Sequence, residues 1–83
     1  LAEAYAAIDE VLARGFDGME KKTYQDEVVM VAARWRVNLA RVAGDKDKAL
    51  KLIRWVERSK AVDELKANFL LDHEWVAGWV GMK

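Results

Sequence analysis

Residues 45–58 read DKDKALKLIRWVER, and this stretch decides the fold class. Either Asp45 or Asp47 can cap a helix here, because a carboxylate accepts hydrogen bonds from the free N–H groups of a first helical turn. Four apolar residues then recur at the i, i+3, i+4, i+7 spacing of one buried helix face: Ala49, Leu52, Ile53 and Val56. The stretch therefore predicts an amphipathic helix over about residues 47–59.

Helices of the same kind are predicted on the N-terminal side. Residues 1–14 place apolar side chains at three- and four-residue steps, and Gly15 follows as a stop signal. Phe16 is expected to plug the core from the turn at 15–18. Thr23 can cap the next helix, whose apolar stripe comprises Tyr24, Val28, Val31 and Trp35. The run VVMVAA at 28–33 would also suit a buried strand, but no partner strand is predicted, so we favour a helix.

The C-terminal part predicts two further short helices. One starts near Val62 and turns Leu65 and Phe69 inward, and a last one covers about residues 74–82. Between the second helix and the helix at 47–59, Leu39, Val42 and Ala43 suggest a short helical turn that ends at Gly44. We expect Trp35 and Trp55 to be largely core. Trp75 and Trp79 either close the bottom of the core or form an exposed aromatic patch that binds a partner.

The bulk composition bounds the fold to one small domain. The 83 residues include 53% hydrophobic side chains, which is enough for a thin core, and neither proline nor cysteine occurs. We predict an all-α, compact bundle of five to six short antiparallel helices that occupies residues 1–83. Because the chain begins with Leu1 rather than Met, we expect it to be excised from a longer multidomain protein.

The sequence contains no recognisable catalytic or metal-binding motif, so we predict that the chain is not an enzyme and holds no cofactor or small-molecule substrate. His73 is the only histidine, and we interpret it as a surface residue near a helix end. Without cysteine or a second histidine, a zinc site is excluded. No apolar run is long enough to span a bilayer, and the lack of cysteine suits a cytoplasmic location.

Charge is distributed unevenly along the chain although the net charge is zero. Residues 34–60 contain nine basic and three acidic side chains, whereas both flanking segments are acidic. We order three interpretations of the basic segment: an ordinary solvated face, then a protein-binding patch, then a nucleic-acid-binding surface. The acidic ends of a neutral domain would repel phosphate, which argues against the third.

The region from 34 to 65 resembles a known family. It contains R-x-x-x-N-L-x-x-V-A-G at 34–44, L-I-x-W-x-E at 52–57 and V-D-E-L at 62–65. These motifs resemble the bacterial effector-associated domain 1 family, short helical adaptors of the death-fold type that are similar to caspase-recruitment domains. The resemblance implies homotypic or heterotypic pairing with another death-fold-type domain, which recruits an effector in bacterial defence or cell-death signalling.

The charge pattern suggests how such pairing would work. Two unlike, complementary patches on one molecule give head-to-tail contacts, and opposite charges select the partner. The hypothesised basic face comprises Arg34, Arg36, Arg41, Lys48, Lys51, Arg54 and Arg58. The hypothesised acidic face comprises Glu3, Asp9, Glu10, Asp17, Glu20, Asp63 and Glu64. The alternative function is a small helical nucleic-acid-binding domain that uses the basic segment 34–60.

Overall fold

The computed structural model describes residues 2–16 and 24–81, and all regular structure within them is helical. The predicted all-α bundle of five to six helices is confirmed, and the helical interpretation of residues 28–33 with it. The predicted cap Thr23 lies outside the described residues, as does the second half of the turn after Phe16. The helices are α1 (Ala2–Arg14), α2 (Tyr24–Ala43), α3 (Lys46–Arg58), α4 (Asp63–Asp72) and α5 (Trp75–Trp79).

The junction between α2 and α3 follows directly from a Gly-Asp pair. Gly44 adopts a left-handed conformation with a φ of 73°, and its N–H donates to the carbonyl of Arg41 at 3.1 Å. The N–H of Asp45 donates to the carbonyl of Ala40 at 2.8 Å, which completes a Schellman motif. The Asp45 carboxylate then accepts a hydrogen bond from the N–H of Lys48 at 3.1 Å, so Asp45 is the cap of α3.

Helix α2 is the centre of the molecule. It packs against α1 and α3, and also contacts α4, while α5 lies on α3. Phe16 is buried as predicted, with its ring 5.2 Å from that of Trp55, which is itself only half-buried. The fully buried stripe predicted for α3 is confirmed at Ala49, Leu52 and Val56. The remaining core residues include Val29, Met30, Ala33, Val37, Ala40, Ala61, Phe69 and Val76.

The interpretation of Trp35 as a core residue is wrong. The core face of α2 is formed by Val29, Ala33 and Val37, whereas Val28, Val31 and Trp35 of the predicted stripe lie on the opposite side of the helix. Trp35 is 62% exposed, and Val31 is 51% exposed. Val42 on the same side is 82% exposed, so the described residues leave this side of α2 largely uncovered.

The C-terminal helices bury a residue that we expected at the surface. His73 ends α4 with a buried ring, so its assignment as a surface histidine is wrong. Its Nδ1 donates a hydrogen bond to the carbonyl of Phe69 at 2.7 Å, and the two rings lie 4.3 Å apart. Trp75 and Trp79 are half-buried and pack against the core, with their ring centroids 5.9 Å apart. Of the two alternatives, closure of the core describes them better.

Candidate protein-interaction surfaces

The first two arginines of the hypothesised basic face are held within the chain. Arg34 forms an ion pair with Asp72 and so ties α2 to α4. Arg36 donates to the carboxylate of Asp9 at 3.2 Å and lies 4.4 Å from the centre of the Tyr5 ring. Cation–π and ion-pair contacts of this kind fix the arginine side chains. Arg34 and Arg36 therefore join helices, and Asp9 of the acidic set is the partner of Arg36 rather than part of a separate surface.

Three cations of the predicted face share one exposed stripe of α3. Lys51, Arg54 and Arg58 follow at i, i+3 and i+7, so they point away from the buried stripe of the same helix. All three are exposed, and none has an ion-pair partner in the described part of the chain. We call these three residues the basic stripe. Asp47 heads the stripe, four residues before Lys51.

The other two basic candidates lie outside this stripe. Arg41 is exposed but rests 4.8 Å from the centre of the Trp75 ring. Lys48 is half-buried at a cleft of about 380 Å³ between α1 and α3. The cleft is lined by Asp9, Leu12, Lys48, Lys51, Leu52 and Trp55. The one carboxylate there, Asp9, is already paired with Arg36, so the cleft keeps a net positive charge.

The acidic candidates occupy two separate places. Glu3 and Glu10 are exposed on the outward side of α1, seven residues apart. Asp63 and Glu64 are exposed in the first turn of α4, where a negative charge also stabilises the helix dipole. The predicted members Asp17 and Glu20 lie outside the described residues. The structure thus divides the acidic set between α1 and α4.

A second candidate surface was missed by the sequence interpretation. Exposed apolar residues run along the face of α2 opposite the core: Val28, Val31, Trp35 and Val42, with the half-buried Leu39 between the last two. We call these five residues the outer stripe. Such a continuous apolar surface is typical of an interaction site. The sequence did contain an indication of this surface. Apolar residues form two stripes on different sides of α2, and only one of them can face a single core.

Residues 2–16 and 24–81 contain neither a membrane-spanning helix nor a group of metal ligands. None of the helices there combines the length and the apolar character needed to cross a bilayer. No group of three or more His, Cys, Asp or Glu residues in those ranges is arranged to hold a metal ion.

Comparison of the chain with protein-family models, curated proteins and solved structures finds no match.

Proposed function

We propose that this chain is a protein–protein interaction module that contacts a partner domain through the basic stripe of α3. The observation that carries the proposal is the arrangement of Lys51, Arg54 and Arg58. They are exposed on one helix face without an ion pair in the described residues, whereas Arg34 and Arg36 are neutralised inside the chain. Cations without internal partners remain available to an acidic surface.

The same molecule also carries exposed acidic residues that could receive the basic stripe of another copy. Glu3 and Glu10 on α1, together with Asp63 and Glu64 on α4, are exposed and form no ion pair within the described ranges. A basic patch that meets an acidic patch of the next molecule makes a head-to-tail contact, which closes into a ring or continues as a filament. Complementary charge also raises the rate of encounter and excludes like-charged partners.

The resemblance to the bacterial effector-associated domain 1 family supports a specific role. We propose a death-fold-type adaptor in the cytoplasm, which pairs with another death-fold-type domain of its own or a different chain. Such pairing would bring an attached effector to its sensor in a bacterial defence or cell-death system. The bundle suits an adaptor because α3, a short helix, holds the exposed charges in fixed positions.

The experiment is to measure molar mass by analytical ultracentrifugation across protein concentration at low and high salt. We expect association that grows with concentration and weakens as salt screens the charges. Arg54→Glu/Arg58→Glu should abolish the salt-sensitive part of this association. Lys46→Glu/Lys60→Glu is the matched control, because it changes net charge equally at exposed positions outside the basic stripe.

Two results would count against this proposal. Salt-sensitive association that survives Arg54→Glu/Arg58→Glu would remove the basic stripe from the contact. A monomer under every condition would exclude self-assembly through charge and restrict the role to pairing with a different domain, which the same variants test once that domain is in hand.

The unneutralised basic stripe also favours one alternative, a nucleic-acid-binding surface. A phosphate backbone attracts such cations, and each neutralised phosphate adds to the salt dependence of binding. Asp47 and Glu57 on the same helix and the zero net charge of the chain oppose it. Fluorescence anisotropy with a labelled random-sequence duplex distinguishes the two functions. Tight binding that weakens steeply with salt would show that the basic stripe binds nucleic acid rather than a protein.

A further inference from the structure

The outer stripe of α2 is symmetric about Trp35. Val28 and Val42 lie seven residues before and after Trp35, and Val31 and Leu39 lie four residues before and after it. On a helix, seven residues correspond to about two turns and four residues to about one, so all five share one face. Reversing the direction of the helix about Trp35 therefore superimposes each apolar position on another.

That symmetry has a specific consequence for association. In an isologous contact the same patch is used by both copies, and each residue meets its symmetry mate. Two α2 helices that cross antiparallel at Trp35 would place Val28 against Val42 and Val31 against Leu39. A parallel pair would instead place each apolar residue level with its own copy, so the apolar pattern alone allows either direction. The charges on α2 distinguish the two directions.

Charge on α2 favours the antiparallel direction. Glu27 is exposed near the N-terminal end, and Arg41 is exposed near the C-terminal end. At 100° per residue the two lie about 40° apart around the axis, so they are on the same side of the outer stripe. Antiparallel crossing at Trp35 brings Glu27 of one copy within about 3 Å, measured along the axis, of Arg41 of the other. Parallel crossing would forgo this pairing, because it places each charge level with its own like-charged copy across the outer stripe.

We propose that a second copy of this chain docks on the outer stripe, with the two α2 helices antiparallel and a two-fold axis at Trp35. The two α2 helices, each about 30 Å long, make a contact at the small end of specific protein interfaces. We therefore expect a dimer that dissociates on dilution. Trp35, at the centre and most enclosed by the partner, contributes most to the affinity.

This contact is independent of the proposed basic stripe. The outer stripe belongs to α2 and buries apolar surface, whereas the basic stripe belongs to α3 and attracts opposite charge. Apolar association is not weakened by moderate salt, in contrast to charge pairing. Failure of one contact can therefore be distinguished from failure of the other in the same protein.

The first test measures the dimer dissociation constant by sedimentation equilibrium at high salt. Trp35→Glu should raise the constant at least about thirtyfold. Leu71→Glu is the matched control, since Leu71 is 64% exposed on α4 and outside the outer stripe. Arg54→Glu/Arg58→Glu should leave this dimer unchanged. A wild-type monomer up to millimolar concentration, or a dimer that tolerates Trp35→Glu, would overturn the proposal.

The second test reads the orientation by cross-linking, which is simple because the chain has no cysteine. Antiparallel pairing separates the two copies of residue 28 by about 21 Å along the helix axis, too far for a disulfide. Val28→Cys alone should therefore stay uncross-linked with a short bis-maleimide, whereas a mixture of Val28→Cys and Val42→Cys should form covalent heterodimers. Cross-linking of Val28→Cys to itself would contradict the antiparallel arrangement, and a different covering partner would leave both samples monomeric.

Discussion

His73 is buried, although it was expected at the surface. Its ring is buried, lies 4.3 Å from the Phe69 ring and donates a hydrogen bond of 2.7 Å to the Phe69 carbonyl. Removal of a packed ring leaves a cavity and an unpaired carbonyl, at a cost of about 2–3 kcal/mol. We expect His73→Ala to lower the free energy of unfolding by that amount in urea denaturation.

Two variants separate the hydrogen bond from the packing at this position. His73→Asn can keep a side-chain N–H near the Phe69 carbonyl but loses the ring, so its stability should fall between wild type and His73→Ala. The neighbour Glu74 is exposed, and Glu74→Ala should change little. Equal losses for His73→Ala and Glu74→Ala would show that the buried ring does not contribute.

Gly44 lies between α2 and α3 and determines where one helix ends and the next begins. A substitution there should therefore affect both helices. The φ of 73° at Gly44 is unfavourable for other residues, although a Cβ there would meet no atom within 4 Å. Gly44→Ala should therefore cost about 1–2 kcal/mol through backbone conformation alone. The melting temperature, followed by circular dichroism, should fall by roughly 5–15 °C.

Gly78 is the matched control for this prediction, because it lies inside α5 and its Cβ would also meet nothing within 4 Å. Alanine is the better helix former at such a position, by up to about 1 kcal/mol. Gly78→Ala should raise the melting temperature slightly while Gly44→Ala lowers it. If both substitutions shift the melting temperature in the same direction, the left-handed conformation of Gly44 is not the cause.

The helices differ in how far their sequences reveal their buried faces. Helix α3 has one apolar stripe, opposite its charged residues, so periodicity alone identified Ala49, Leu52 and Val56. Helix α2 has two stripes, and the more hydrophobic one, with Trp35, lies outside. Its core side uses Ala33 and Ala40, small residues that allow neighbouring helices to approach closely. Only the positions of those neighbours decide which stripe is buried.

The candidate surfaces were predictable to a different extent. The excess of positive charge over residues 34–60 is evident in the sequence, and the spacing of Lys51, Arg54 and Arg58 places them together on one helix. The partners of Arg34 and Arg36 lie on other helices, at Asp72 and Asp9. Such contacts between residues more than 25 positions apart depend on tertiary packing, which local patterns do not contain.

At the scale of the whole molecule, α2 connects the other elements. It contacts α1, α3 and α4, and the Cα atoms extend over 35 × 32 × 16 Å, so the molecule is thin in one direction. A thin bundle cannot retain a separate core when its central helix is lost. We therefore expect two-state unfolding, in which helix content and tryptophan environment change together.

Val37 and Val42 test this expectation, because they are the same residue type on the same helix. Val37 is fully buried, and Val42 is 82% exposed. Val37→Ala should cost about 1.5–3 kcal/mol, with coincident midpoints by circular dichroism and tryptophan fluorescence and an unchanged denaturant slope. Val42→Ala, measured at low micromolar concentration, should stay within about 0.5 kcal/mol of wild type. Separate midpoints for Val37→Ala would contradict two-state unfolding. A fluorescence transition later than the loss of helix would mean that the surroundings of Trp75 and Trp79 in α5 retain structure without α2.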